Sequence, residues 1–151
     1  ELVAAAPRHR SPVRVAGPIG ERPVAGIHQL GVLSPEALTW WASRAAIYAL
    51  PARYEPFGLS IVEAALAGCA LVIGDIPTLR EIWGDTAVYV RPGDPDALAR
   101  ALQALIDDPV RRHELSAASR GRALALTPAR MAEAYRGLYE ELCSRPQEEC
   151  A

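Results

Sequence analysis

The sequence predicts an α/β fold, a Rossmann-like open parallel sheet with helices on both faces, and three features of the chain carry that expectation. Short apolar, β-prone runs alternate with helical segments, helices open on a capping residue followed by proline, and glycines close the runs. Parallel neighbours need a crossover, usually a helix, so alternation of this kind favours a parallel sheet, and near-continuous apolar strands suit burial on both faces.

Taken in order, Val13, Arg14, Val15 and Ala16 form a short run closed by Gly17, Pro18 and Gly20, and residues 26–30 form another closed by Gly31. Both read as buried strands. Ser34 before Pro35 and Glu36 is an N-cap with proline at the first helical position, opening a helix to residue 45 whose apolar stripe includes Leu38 and Trp41. Residues 47–50 make a compact apolar strand ending at Pro51. A polar and aromatic loop then leads into a helix over residues 58–67, stopped by Gly68. Residues 70–73 give the next strand, 79–83 a short helix, and 87–90 a further strand ending at Arg91-Pro92-Gly93. Asp94 caps a helix with Pro95 at its first position, running to residue 106. Helices over 111–126 and 128–142 make the end of the chain all helical.

The chain has 151 residues, about one domain's length, with half its residues hydrophobic and 23% charged, which excludes a disordered chain. Its longest nearly apolar stretch, residues 64–74, contains Gly68 and falls short of the roughly 18 residues a membrane helix needs. A net charge of −2 and a pI near 5.9 argue against a nucleic-acid partner. All 16 basic residues are Arg. Cys69, Cys143 and Cys150 show no CxxC or Cys/His ligand spacing, so a reducing, cytoplasmic setting is expected, with Cys69 a small core residue. The chain opens on Glu1 and its one methionine is Met131, so no signal peptide is visible and a piece of a longer protein is expected.

In open α/β sheets ligands sit beyond the carboxyl ends of strands, where loops enter helices, which directs attention to residues 51–60. There the strand ending at Leu50 delivers Pro51-Ala52-Arg53-Tyr54-Glu55-Pro56-Phe57-Gly58, and the helix after it carries Leu59, Ser60 and Glu63. Free N–H groups and the positive end of the helix dipole make such a helix start an anion site, and Gly58 lets a ligand approach the backbone. From Gly58 to Glu63 the helix rises about 7.5 Å, roughly the reach of a diphosphate. Two carboxylates also fit a hydrolase, whose acid and partner stand about 5 to 9.5 Å apart. An anion site between them suits a diphosphate better than a glycosidic oxygen.

The segment Glu55-Pro56-Phe57-Gly58-Leu59-Ser60-Ile61-Val62-Glu63-Ala64 resembles the Glu-x7-Glu signature of group 1 retaining glycosyltransferases with the GT-B fold. The resemblance continues through residues 30–36, 50–54, 66–72, 79–82 and 92–99. It covers about residues 13–142, in the order of that family's carboxy-terminal, donor-binding domain. It implies transfer of a sugar from a nucleotide-diphosphate donor to an acceptor with the anomeric configuration retained. It implies no metal, no cofactor and a bacterial, cytoplasmic enzyme. At matching positions Glu55 would meet hydroxyls of the donor sugar, as the one catalytic candidate, and Glu63 would hold the ribose. Backbone groups of Phe57, Gly58 and Leu59 would face the sugar and diphosphate, Ser60 would reach a phosphate oxygen, and the nucleobase would pack near Gly31 and Val32. The partners implied are a nucleotide sugar and the amino-terminal acceptor domain of the same enzyme.

Two departures qualify the resemblance. The family's Arg and Lys against the diphosphate lie after a first strand that this chain does not show; Arg8, Arg10 and Arg14 are in the wrong place to replace them. The family often carries paired glycines where this chain has Asp75-Ile76-Pro77-Thr78-Leu79-Arg80-Glu81, a stiffer loop whose acids are expected to cap the short helix, and Glu81 stays outside the site. Alone, the chain is expected to bind donor weakly and turn nothing over. The rival reading is a non-catalytic nucleotide-sugar-binding or interaction module. Another GT-B enzyme, an epimerase or phosphorylase, comes third, and a chain without Lys leaves no place for a phosphorylase's pyridoxal-phosphate lysine.

The remaining chemistry-bearing residues read as structural. Tyr54 is expected to pack, Trp40, Trp41 and Trp83 to be packing aromatics, and His9, His28 and His113 to share no site. Asp107-Asp108 before Pro109 reads as a helix cap, and Glu140-Glu141 and Glu148-Glu149 as solvated surface and tail.

Overall fold

A computed structural model describes residues 12–18 and 25–144. Arg8, His9, Arg10, Gly20, Glu148, Glu149 and Cys150 lie outside the described residues. The strands are β1 (Val13–Ala16), β2 (Ile27–Gly31), β3 (Ile47–Leu50), β4 (Ala70–Gly74) and β5 (Val88–Val90). The helices are α1 (Pro35–Ala42), α2 (Leu59–Leu66), α3 (Pro77–Trp83), α4 (Pro95–Asp107), α5 (Pro109–Ala123) and α6 (Pro128–Ser144), with a 3-10 turn at Gly84–Thr86. Every expected element is present among them, with ends displaced by a few residues.

All strand pairs are parallel, as the alternation requires, in one sheet of order β1-β2 and another of order β3-β4-β5. β4 is the centre of the second sheet and all five of its residues are buried. Because side chains alternate across a strand, β4 feeds two cores. Leu71 and Ile73 face Ile61 of α2, Leu79 and Trp83 of α3 and Ala123 of α5, while Ala70 and Val72 face Leu98, Leu102 and Leu105 of α4. Helices therefore cover both faces, and fully burying each such aliphatic chain contributes about 1.5 to 3 kcal/mol. Cys69, just before β4, is fully buried as a small core residue, its thiol donating to the carbonyls of Ala42 and Ala45.

The first two strands differ from expectation. Neither is buried: half-covered Val13 and Val15 alternate with exposed Arg14 and Ala16, the pattern of a strand covered on one face only. A run of four to five apolar-leaning residues does not separate one-sided from two-sided cover. The two strands run Val13 against Ile27 with a register shift after Val15, and the Arg14 guanidinium lies 4.9 Å from the ring of Trp41 on α1. Trp83 is buried while Trp40 is half exposed. At the other end of the chain no residue of α6 is buried.

Candidate functional site

The loop after β3 is held down at three points. Ala52 folds back on the strand end, its N–H donating to the Leu50 carbonyl at 2.8 Å. It sits so close to the end of β4 that a Cβ on Gly74 would lie 2.2 Å from the Ala52 oxygen. Thr78, in the first turn of α3, donates its hydroxyl to the Glu55 carbonyl at 2.8 Å. Glu55 then reaches forward, Oε1 accepting the N–H of Gly58 at 2.9 Å and, more weakly, that of Phe57 at 3.4 Å. Gly58 closes the loop with φ of +82°, in the left-handed region, and a Cβ there would meet Ile61 Cδ1 at 2.7 Å. Backbone hand and core packing both demand glycine.

The helix that Gly58 opens starts unlike the others. α1, α3, α4, α5 and α6 each begin on proline, which removes an N–H. Ser34, Asp94, Asp108 and Thr127 each accept an N–H from the first turn of the helix they precede. α2 has neither proline nor a side-chain cap. Among the described residues the N–H groups of Leu59 and Ser60 have no acceptor within the protein. With the positive end of the helix dipole behind them, these donors suit an anion. The amides of Phe57 and Gly58 donate to the carboxylate of Glu55.

Ser60 and Glu63 are exposed on the first turns of α2, and Glu55 is half-buried at its mouth. Tyr48 of β3 lies beneath them, its hydroxyl donating to Ser60 Oγ at 2.9 Å. Burial raises the Tyr48 pKa; the Ser60 bond opposes this, and the negative charges of Glu55 and Glu63 add to the rise. Both carboxylates thus act on one phenol. Leu59 is 70% exposed and Phe57 41% exposed, so neither plugs the mouth. Gly31 ends β2 and Val32 follows it, at the carboxyl end of a strand of the other sheet, with Gly31 at φ +69° and Val32 exposed.

Three expectations about neighbouring residues are corrected. Tyr54 does not pack: it is 82% exposed, because the loop turns its backbone inward at Ala52 and Glu55 on either side. Asp75 does not cap α3, whose N-cap is Ile76. It pairs instead with Arg80, Nη2 to Oδ2 at 2.9 Å, and that guanidinium holds the Asp75 carboxyl below its ordinary range. Of the Asp107-Asp108 pair, Asp108 caps α5 as expected, while Asp107 accepts from the Gln103 side chain. Tyr48, Gly74 and Thr78 escape the sequence reading. A tyrosine in an apolar strand looks like core and a hydroxyl in a loop like solvated surface; the nearest signal was Pro77-Thr78 where paired glycines are common.

Among the described residues no three His, Cys, Asp or Glu side chains cluster as metal ligands, and no helix is long and apolar enough to cross a membrane.

Comparison with known proteins fits this geometry. The family profile "Glycosyl transferases group 1" matches residues 24–122. The chain is 43% identical over 81 residues to glycogen synthase of Mycobacterium tuberculosis, a stretch covering 52% of this chain and 20% of that protein. It is 31% identical over 119 residues to D-inositol 3-phosphate glycosyltransferase of Corynebacterium diphtheriae, covering 77% of this chain and 28% of that protein. Sucrose-phosphate synthase from Thermosynechococcus elongatus superposes with a TM-score of 0.76 at 26% identity, over 93% of this chain and 42% of that one. Anabaena HepE, solved in complex with UDP-glucose, superposes with a TM-score of 0.71 at 18% identity, over 95% of this chain and 44% of that one. The matches thus span less than half of each of these proteins, from 20% to 44%. With the signature of residues 55–63 set at a strand-to-helix turn of parallel sheets flanked by helices, the chain belongs to the group 1 glycosyl transferases and shares their GT-B, Rossmann-like architecture.

Proposed function

We propose that the chain is the carboxy-terminal, donor-binding part of a retaining glycosyltransferase that takes a sugar from a nucleotide diphosphate. The observation that carries this is the start of α2, the one helix among the described residues with neither leading proline nor side-chain cap, bracketed by Glu55 and Glu63 in a chain of this family. The diphosphate lies against the N–H groups of Leu59 and Ser60 and the Ser60 hydroxyl. Tyr48 donates to Ser60 Oγ and so leaves the serine proton free to point outward at a phosphate oxygen. Glu63 holds the ribose hydroxyls and Glu55 the hydroxyls of the sugar, while the nucleobase packs near Gly31 and Val32.

As the bond to the sugar breaks, charge gathers on the departing diphosphate. Fixed dipoles aimed at that charge are the kind of contribution that usually dominates such a step, and they cost no reorganisation when it occurs. No metal or cofactor enters this scheme. The acceptor is held by an amino-terminal domain of the same enzyme, so the 151-residue chain binds donor weakly and transfers nothing alone. Cytoplasm, where nucleotide sugars are made, is the proposed setting.

Calorimetric titration of uridine and guanosine diphosphates into the chain and into Glu63→Ala tests the scheme. Binding of one nucleotide, weakened at least about tenfold by the substitution, is expected for loss of a hydrogen-bonded charged partner. Equal binding by both proteins would remove Glu63 from the ribose, and sugar transfer by the chain alone would contradict the two-part division.

A further inference from the structure

The hydroxyl of Thr78 ties α3 to the loop that carries Glu55, donating to the Glu55 carbonyl at 2.8 Å. We propose that Thr78 is a positioning residue for the donor site, an inference that rests on the donor-binding reading above. α3 is a firm anchor: Leu79 and Trp83 are fully buried, and Asp75 and Arg80 pair across its start, with the Arg80 guanidinium 4.3 Å from the Tyr89 ring. From that anchor Thr78 fixes the Glu55 carbonyl, and Glu55 in turn holds the Gly58 N–H through its carboxylate at 2.9 Å. Gly58 is the residue from which α2 departs, so its orientation aims the Leu59 and Ser60 donors.

The loop is also held at both of its ends. Gly74 sets the Ala52 end of the loop by close approach, and the core contact with Ile61 sets the Gly58 end. Between them the Arg53 side chain lies against Gly93, and Thr78 donates to the loop backbone at Glu55. Thr78 is exposed and its side chain supports no core, which separates a role in placing the loop from a role in folding.

The test compares the full chain with Thr78→Val, which keeps the shape and removes the hydroxyl, and Thr78→Ser, which keeps the hydroxyl. Uridine and guanosine diphosphates serve as probes, and hydrogen exchange is followed at the amides of Phe57 and Gly58. Expected are a three- to tenfold weaker nucleotide affinity and faster exchange at those two amides in Thr78→Val, about the effect of one lost hydrogen bond. Thr78→Ser should stay within about twofold of the natural chain, and the melting temperatures of all three should agree within a few degrees. If the natural chain binds a nucleotide and Thr78→Val binds it equally well, or if Thr78→Ser is as weak as Thr78→Val, the positioning role is overturned and the donor reading stands. If the natural chain binds neither nucleotide, the donor reading fails and takes the positioning role with it.

Discussion

Tyr48 and Ser60 are joined hydroxyl to hydroxyl at 2.9 Å, a bond from the central sheet to the first turn of α2. Because Tyr48 donates, Ser60 has its own proton to give. Tyr48→Phe should therefore weaken nucleoside diphosphate binding about two- to threefold, by freeing Ser60 to turn, and Ser60→Ala about three- to tenfold, by removing the donor. Titration calorimetry of both variants measures the difference. A Tyr48→Phe variant weaker than Ser60→Ala would contradict this order.

Gly74→Ala should be costly. Its Cβ would stand 2.2 Å from the oxygen and 3.0 Å from the nitrogen of Ala52, both backbone atoms that cannot rotate away. Overpacking of this kind costs about 1 to 3 kcal/mol, and here relief requires lifting the whole loop. Urea denaturation should show that loss together with weaker nucleotide binding, whereas substitutions at exposed Tyr54 should change stability by less than about 0.5 kcal/mol.

Alkaline stability provides a third check. Burial pushes the Cys69 thiol up to about 11, against about 8.5 in an unfolded chain. Between those values the folded thiol stays protonated while the unfolded one ionises, so unfolding releases a proton and stability falls as pH rises. The contribution is fully present below about pH 8.5 and is lost toward pH 11, at a slope of up to about 1.4 kcal/mol per unit. Cys69→Ala, denatured in urea from about pH 8 to about pH 10.5, should show a shallower decline than the natural chain. Tyr48 and Tyr89, both raised chiefly by burial, slope the same way in either protein, apart from the minor part of the Tyr48 rise that Cys69 itself supplies.

Removal of residues from 128 onward should leave the core intact. No residue of α6 is buried, whereas Leu126 just before it packs on the core around Trp83. The shortened chain should keep its unfolding free energy in urea within the range of a surface change, about 0.5 kcal/mol, while truncation before Leu126 should cost more.

The alternation of strands and helices was legible in the sequence because each signal was local: proline after a cap, glycine after a run, apolar residues at the right spacing. The signature from Glu55 to Glu63 was legible for the same reason. The hidden relationships were non-local. Whether Val13 and Ile27 are covered on one face or two depends on what lies above them, not on their neighbours in the chain. Thr78 meets Glu55 across 23 positions, and Gly74 meets Ala52 only because β3 and β4 are in register. The Glu55 carboxylate bonding to Gly58 shows a further limit: motif spacing says which groups stand near an anion site, and geometry says which of its donors are already engaged.

Among the described residues five of the six helices enter on a pyrrolidine ring, which presets one torsion before the first turn closes. The sixth enters on a residue with no Cβ, the most freely moving unit a backbone contains. The Glu55 carboxylate on its N–H and the Ile61 side chain against it hold that residue in its left-handed turn, so a negatively charged guest settling there would meet donors already fixed in place.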